Sequence, residues 1–553
     1  GSATTTVEKT NPASYTLIPT VPVDTMLFTV KVENGDLGFS IPFPDSGVTP
    51  AAIMVSWGDG TPVVVVPKGT TLAAGDKFEY TYAVAGTYTI TIGSDATADK
   101  QQIPELNFYQ RTGSYNPNKL VSLETPLLNM NCPSLSKAFF SCEKLTTIPG
   151  NLFEKNTAAK DFSGCFYYCR ALQTIPGGLF ASNTAATDFN SCFFNCDLLE
   201  EIPSELFANN TEAGNFTYCF AQCKRLTAIP ENLFASNTAA TDFSNCFYNC
   251  ILLGSIPKEL FASNTAATNF SNCFSSCNAL TTIPESLFAN NTAATNFDQC
   301  FADCIALTTI EARLFANNAN INIIRCFYGC TALTTISTDL FANNTAIKSF
   351  NYCFYNCTAL QTIPEGLFAN NAEATSFNYC FANCNGLTAI PGNLFEKNKA
   401  ATDFRNCFQS CHALQAIPGG LFANNTAATN FSYCFYGCTG LKAIPEGFFA
   451  KNTEATNFNC CFYGCTYMMF NPNIFVDSTA AEQDKLNRFI DKDMDFRYCF
   501  YQVNLHNNSG TAPALWDYVK GSGQWETTNC FKDCIMSNSE DIPNYLAWGT
   551  PEF

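Results

Sequence analysis

Histidine is nearly absent. His412 and His506 are the two imidazoles among 553 residues, and only four residues are tryptophan. A catalytic base or a histidine-ligated metal centre has little to be built from, and the two histidines are far apart in the chain. Positive charge is also short: 29 Lys and Arg against 47 Asp and Glu leave a formal net charge of −18. That balance argues against nucleic acid or an anionic membrane surface as partner, because both are held by clustered cations. No apolar run reaches the roughly 18 residues of a membrane-spanning helix, so no membrane insertion is expected. Gly1-Ser2 reads as a cloning remnant before a Thr-rich leader, and any export signal is expected to have been removed.

Phenylalanine (51) and cysteine (30) are abundant, and both recur at fixed intervals. Phe216, Cys219, Phe220, Cys223, Leu226, Ile229 and Pro230 return as Phe243, Cys246, Phe247, Cys250, Leu253, Ile256 and Pro257. The second cysteine advances in steps of 27 from Cys142 to Cys304, takes one step of 26 to Cys330, and resumes steps of 27 to Cys465. Two looser copies follow, around Cys499 and Cys530–Cys534. A repeat that cannot bury its own apolar residues buries them on its neighbours, so the array is expected to be a solenoid.

Within one unit, Phe-x-x-Cys-Phe-x-x-Cys falls at i, i+3, i+4 and i+7, the spacing of one helix face, with Asp242 or Asn296 as its N-cap. Leu280-Thr281-Thr282-Ile283 is a short β-prone run. Pro284 suits the first turn of a second helix over 285–289, which Asn290-Asn291 would end in a left-handed cap. The unit is therefore expected to be α/β. The Asn-Asn-Thr triplets also match a glycosylation acceptor, but their recurrence at one place in the repeat favours a structural role.

Before the array, 26–30 and 53–57 are apolar and β-branched runs bounded by turns, 78–82 follows, and 87–92 keeps strict period 2, all as strands do, with Gly58-Asp59-Gly60-Thr61 as a tight turn. A small β-sandwich is expected over 24–100. Trp57-Gly58-Asp59-Gly60-Thr61 with Tyr82-x-x-x-Gly86-Thr87-Tyr88-Thr89-Ile90 resembles the polycystic-kidney-disease-type, immunoglobulin-like domains, which implies an extracellular spacer. Leu120-Val121-Ser122-Leu123 reads as a degenerate first strand of the array. Phe301, Cys304, Leu307 and Ile310 make a Phe-x-x-Cys-x-x-Leu-x-x-Ile string that resembles the BspA-like bacterial surface leucine-rich repeats. The resemblance implies a leucine-rich-repeat-type solenoid on a bacterial cell surface or secreted, acting in adhesion. Its partner would be a host or microbial surface protein or glycan. The expected boundaries are 1–23 for a flexible leader, 24–100 for the sandwich, 101–475 for the solenoid and 476–553 for a C-terminal cap of divergent repeats.

The Cys-x3-Cys pairs do not have the Cys-x2-Cys spacing of zinc sites and lack histidine partners, so no metal or cofactor is expected. Residues four apart on a helix are close enough for a disulfide. Yet Ala138 replaces the first cysteine in one copy and Val503 the second in another, which favours buried free thiols over bridges. No nucleophile–base pair or carboxylate cluster stands out, and no enzyme activity is expected. The candidate binding surface is the row between Leu and Ile: Thr281, Thr282, Thr308, Thr309, Thr334, Thr335, Gln361 and Thr362. The alternative is a passive stalk or spacer with no ligand.

Overall fold

The computed structural model describes residues 24–44, 46–72, 78–108, 117–506 and 510–542. The expected leader over 1–23, and Trp548 of the expected cap, lie outside these residues. The chain divides into two compact units, Gly1–Ala267 and Thr268–Phe553.

The first unit opens with β1 (Asp24–Val32), β2 (Gly38–Ser40), β3 (Ile53–Ser56), β4 (Val64–Val66), β5 (Glu79–Thr81), β6 (Gly86–Ser94) and β7 (Leu120–Leu123). Five of them form an antiparallel sheet in the order β4-β3-β6-β1-β7, and β2 pairs with β5 as a separate ribbon. Strand alternation sends Met26, Phe28, Val30 and Val32 into the core. Phe39 of the ribbon meets Phe28 with ring centroids 6.0 Å apart. At the Gly58 turn (φ +82), a Cβ would lie 2.4 Å from the Thr89 carbonyl oxygen, so only glycine fits.

β7 has two roles. It closes the sheet through Phe28↔Leu123, so it is more than a degenerate first strand of the array. Its other edge takes the first coil: Leu123 N–H donates to the Thr147 carbonyl (3.0 Å) and Thr146 N–H to that of Val121 (2.8 Å). The edge of the sheet is thereby paired rather than bare.

The coils that follow contain no helix. Phe216-x-x-Cys219-Phe220-x-x-Cys223 forms two linked β-turns instead, with Tyr218 and Gln222 left-handed at φ +55 and +64. The N–H groups of Phe216, Tyr218, Phe220 and Gln222 donate forward to Asp242, Ser244, Cys246 and Tyr248 of the next coil (2.6–3.0 Å). Those of Cys219, Ala221 and Cys223 turn back to Phe216, Tyr218 and Phe220, three residues earlier (3.1–3.3 Å). Every second residue thus serves the stack and the others serve the turn. Asn215 and Asp242 do not cap helices. Their Oδ1 atoms accept the N–H two residues on, as an Asx turn does.

Spacing explains the difference. A helix is about 10 Å across, whereas coils joined by parallel bridges lie about 4.8 Å apart. An eight-residue helix would also leave its first N–H groups unbonded, where the linked turns hand them to the neighbouring coil. The i, i+3, i+4, i+7 pattern still puts both phenylalanines and both cysteines on one buried face.

Those phenylalanines stack in columns. Phe166–Phe193, Phe189–Phe216 and Phe180–Phe207 have centroids 5.4, 5.8 and 5.9 Å apart and planes within 8° of parallel. The second cysteine of each pair does more than fill space. Cys223 Sγ donates to the Phe193 carbonyl of the previous coil (3.3 Å), and Cys250 repeats this on Phe220 (3.2 Å). All thirty cysteines are buried, and none is in a disulfide.

The Asn residues form a third column. Asn237 is fully buried, and its Nδ2 donates to the carbonyls of Phe207 (3.1 Å) and Asn210 (2.8 Å). Asn210 does the same one coil earlier on Phe180 and Asn183. None of them has positive φ, so the expected left-handed cap is replaced by an inter-coil amide ladder.

The second unit repeats this plan. Phe350–Phe377–Phe404–Phe431–Phe458 stack at 5.3–5.8 Å. β8 (Thr309–Ile310) and β9 (Thr335–Ile336) pair in parallel. The expected second helix over 285–289 is again a series of turns: Leu287 and Ala289 donate to Pro284 and Ser286. The α-helix assigned among the described residues is α1 (Glu482–Leu486), in the divergent tail with the parallel pair β10 (Met494–Asp495) and β11 (Trp525–Glu526). Just after α1, Arg488 Nη2 donates to the carbonyls of Phe449 (3.1 Å) and Asn452 (2.7 Å). These are the two acceptors that a further asparagine of the column would have used, so one arginine ends the ladder.

Two outcomes follow from this core. Arg488→Ala removes the guanidinium donors to Phe449, Asn452 and Phe475, leaving the first two carbonyls only the turn N–H groups of Asn452 and Ala455, and should cost about 1–3 kcal/mol, read as a lower denaturant midpoint. The second outcome concerns alkaline pH. Burial pushes the Cys250 thiol up to about 12 and drives those of Cys219, Cys223 and Cys246 well above the ordinary value. The folded chain therefore keeps protons that the unfolded chain releases from about pH 8.5. Their stabilisation is complete below that pH and is lost as pH rises toward 12, at about 1.4 kcal/mol per unit per thiol. The melting temperature should fall steeply above pH 9 with or without reductant. A profile that steepens only after reduction would mean bridges rather than thiols.

Candidate functional site

The Thr row is exposed, with Thr309 half-buried. Stacking brings its members side by side: Thr308 N–H and Oγ1 donate to the Thr281 carbonyl (3.2 and 3.4 Å), and those of Thr334 to the Thr308 carbonyl (3.0 and 3.1 Å). Two of these hydroxyls are thus engaged in joining coils. Gln361 is joined to the following coil in the same way, its carbonyl accepting from Thr388.

A second surface was missed in the sequence. The linked turns point their third and sixth residues outward, and in the second unit many of these are tyrosines. In the third-position row Tyr352 stacks on Tyr379 (4.5 Å). In the sixth-position row Tyr328 stacks on Tyr355 (4.8 Å), and Tyr436, Tyr463 and Tyr501 stack at 4.8 and 4.7 Å. The first unit has a run of its own, Phe140–Tyr167–Phe194, at 4.5 and 4.6 Å. The signal lay in the variable positions of Phe-x-x-Cys-Phe-x-x-Cys, which look like an ordinary solvated face if the segment is taken for a helix.

The third-position residues are left-handed. Asn245, Asn272 and Asn406 accept this easily, whereas Tyr352, Tyr379 and Tyr433 hold φ of +57, +55 and +57 with a bulky side chain. At Asn406 the tyrosine row is interrupted, and in the sixth-position row Ala382 and Gln409 stand between Tyr355 and Tyr436. The interruption is an open groove of about 640 Å³. Tyr379, backed by Tyr352, forms one wall, and Tyr433 with Tyr436 the other. Asn406, only 3% exposed, forms the floor. Its Nδ2 donates to Gln409 Oε1 (2.5 Å). Arg405 stands on the rim, its Nε donating to Asn378 Oδ1 (3.4 Å) and a terminal nitrogen 4.0 Å from Asp403.

Tyr433 leans away from the gap. Its hydroxyl bonds to Cys460, which sits at the third position of the next coil, and that bond together with burial pushes the phenol up to about 12. His412 Nδ1 lies 2.9 Å from the Gly437 carbonyl oxygen, and His506 stacks on Tyr467 at 4.5 Å. Among the described residues no cluster of three or more His, Cys, Asp or Glu side chains could hold a metal ion. No described helix is long and apolar enough to cross a membrane.

No family model matches the chain, and no curated protein matches it. Among solved structures, it is similar to a chain of the Toll–Spatzle complex of Drosophila, at 14% identity and a TM-score of 0.28. That match covers 67% of this chain and 50% of the other, so this chain spans about half the length of that protein. A second similarity is to a chain of the TLR13–ssRNA13 complex, at 11% identity and a TM-score of 0.14, covering 62% of this chain and 76% of that one. Likeness at this level assigns neither ligand nor family, and the solenoid description rests on the hydrogen-bonded coils themselves.

The Tyr433–Cys460 bond is directly measurable. In a spectrophotometric phenolate titration, Cys460→Ala should move one tyrosine from about 12 toward the ordinary value of 10. An unchanged titration curve would mean that Tyr433 does not share this bond in solution.

Proposed function

We propose that the chain is a non-enzymatic binding protein of a bacterial cell surface or secretion, which adheres to a host or microbial surface through the exposed side of its coils. One observation carries this reading. Tyrosine is kept in a left-handed conformation at Tyr352, Tyr379 and Tyr433, where Asn272 and Asn406 fill the same position at less cost. A bulky residue held there costs on the order of 1 kcal/mol, and its ring lies outside the core. The Tyr352–Tyr379 stack and the Tyr433–Cys460 bond offset part of that cost, and a contact surface gives the outward rings a further reason to be kept. Aromatic residues on a rigid scaffold supply large contact area at low entropic cost.

The leucine-rich-repeat type, the BspA-like relationship and the polycystic-kidney-disease-type sandwich belong to the same proposal. The Leu-x-x-Ile string that ends each coil and the Trp57-to-Thr61 turn against β5 and β6 support them. The Thr row is the second reading, favoured by its exposure, and a passive stalk is the third.

Beads coated with the chain, scored for adherence to epithelial cells, bacterial cells and matrix, separate the three. Tyr379→Ala with Tyr436→Ala should lower adherence by about tenfold or more, while Thr308→Glu with Thr335→Glu leaves it unchanged. Loss with the threonine pair alone would move the contact to the Thr row. Full adherence by both would favour the stalk.

A further inference from the structure

The groove between Tyr379 and Tyr433 has a width, and the width selects a ligand. Those rings occupy the same position two coils apart, with Asn406 between them. At about 4.8 Å per coil, the two backbone positions stand roughly 9.5 Å apart, and the lean of Tyr433 toward Cys460 keeps the gap between the rings from being narrower. Elsewhere in the row the next tyrosine fills this space, as Tyr379 does beside Tyr352. At Asn406 the short amide leaves it open.

A planar aromatic guest needs roughly 3.5 Å to each wall, about 7 Å in all, and would be loose. A puckered saturated ring, with C–H bonds directed at both walls and carbon-to-ring contacts near 4 Å, fills a space of roughly 8–9 Å. The polar groups narrow the choice further. Asn406 Nδ2 is committed to Gln409 Oε1, an arrangement that orients Gln409 Nε2 as a donor at the edge of the floor. Arg405, held at the rim, adds a second donor. The Tyr379 hydroxyl can both donate and accept, while that of Tyr433, donating to Cys460, is left to accept. A proline ring is also puckered, but a proline-rich backbone offers only acceptors. Vicinal hydroxyls on a saturated ring answer donors and acceptors together.

Resting on the binding reading above, we propose that this groove is a carbohydrate site in which one pyranose ring of a glycan chain lies between Tyr379 and Tyr433, over Asn406, with its hydroxyls met by Gln409 and Arg405. The ligand is a neutral sugar. Arg405 is already opposed by Asp403 at 4.0 Å, and the chain as a whole carries −18. The tyrosines that flank the groove on either side belong to the same rows, so neighbouring sugar units have rings to lie against.

The test fills the groove rather than emptying it. Asn406→Tyr places in the gap the residue that Tyr352, Tyr379 and Tyr433 already carry at this position, in the same left-handed conformation, so the fold should tolerate it. The intact chain is applied to a printed array of host and microbial oligosaccharides that also carries proline-rich peptides. Wild type should bind a set of neutral glycans, and Asn406→Tyr should lower that signal by about tenfold or more. Asn272→Tyr, the same change at the same position of another coil, should leave it unchanged, and circular dichroism melts of the two variants should match each other, slightly below wild type by the cost of a left-handed tyrosine. Three results would overturn the proposal: no glycan bound by wild type, glycan binding untouched by Asn406→Tyr, or binding confined to the peptides. If the array is blank while Tyr379→Ala with Tyr436→Ala still abolishes bead adherence, the sugar site is wrong and the binding surface stands. If adherence is also unaffected, both are wrong.

Discussion

Everything in the coils depends on one hydrogen bond made over and over: a backbone N–H of the linked turns donating to the carbonyl one coil ahead. It holds neighbouring coils about 5 Å apart, and that distance dictates the rest. It leaves no room for helices. It puts the third and seventh residues of most linked turns, such as Tyr218 and Gln222, in the left-handed region, so that alternate N–H groups can point along the stack. It brings each phenylalanine against its counterpart at an offset parallel spacing, so one ring type repeated down a column packs without voids. A larger residue at the cysteine positions would collide with that column. A smaller one would leave a cavity and remove the thiol that donates to the phenylalanine carbonyl one coil back.

The repeat, the buried face and the strand-rich start were legible in the sequence, because each depends on the spacing of apolar residues, whereas the pairing of β7 with both the sheet and the first coil was not. Phe216, Cys219, Phe220 and Cys223 are buried in the structure as their spacing requires. Their conformation was not legible. A helix and a pair of linked turns place i, i+3, i+4 and i+7 on the same side, and only the proximity of the next coil decides between them. The asparagines show the same limit. Asn237 has the right chemistry for a cap, but its donors reach backbone carbonyls 27 and 30 residues back, contacts that no local rule contains. Arg488 was invisible for a related reason. Nothing in its neighbourhood in sequence says that it stands in for an asparagine. The tyrosines were visible as letters, and misreading their backbone hid the surface they form. The Thr row was read correctly as exposed, but exposure alone does not distinguish a contact surface from a solvated edge.

The division of labour inside a coil is sharp. Positions that face the column are nearly fixed from copy to copy, while the third and sixth positions of the linked turns range over Gly, Ser, Ala, Cys, Asn, Gln, Lys, Arg, Phe and Tyr. Each coil thus presents its own outward residue on an unchanging frame. A gap such as that at Asn406 needs only one small residue among larger neighbours, and its dimensions are set by the frame rather than by the residues lining it. That is a means of making rigid clefts of defined width without any loop to order.

The direction of the hydrogen bonds has a further consequence. Along the linked turns the N–H groups point toward later coils, as from Phe220 to Cys246, while the Thr and Asn columns point toward earlier ones, as from Thr308 to Thr281 and from Asn237 to Asn210. A cut between two coils would therefore expose bare donors on one side of the break and bare acceptors on the other, and the opposite fragment would carry the mirror set. Two such ends fit head to tail. Because that contact is heterologous and repeats by translation, it does not close. A fragment released by two such cuts, with a bare end on each side, would be a monomer for an open-ended filament.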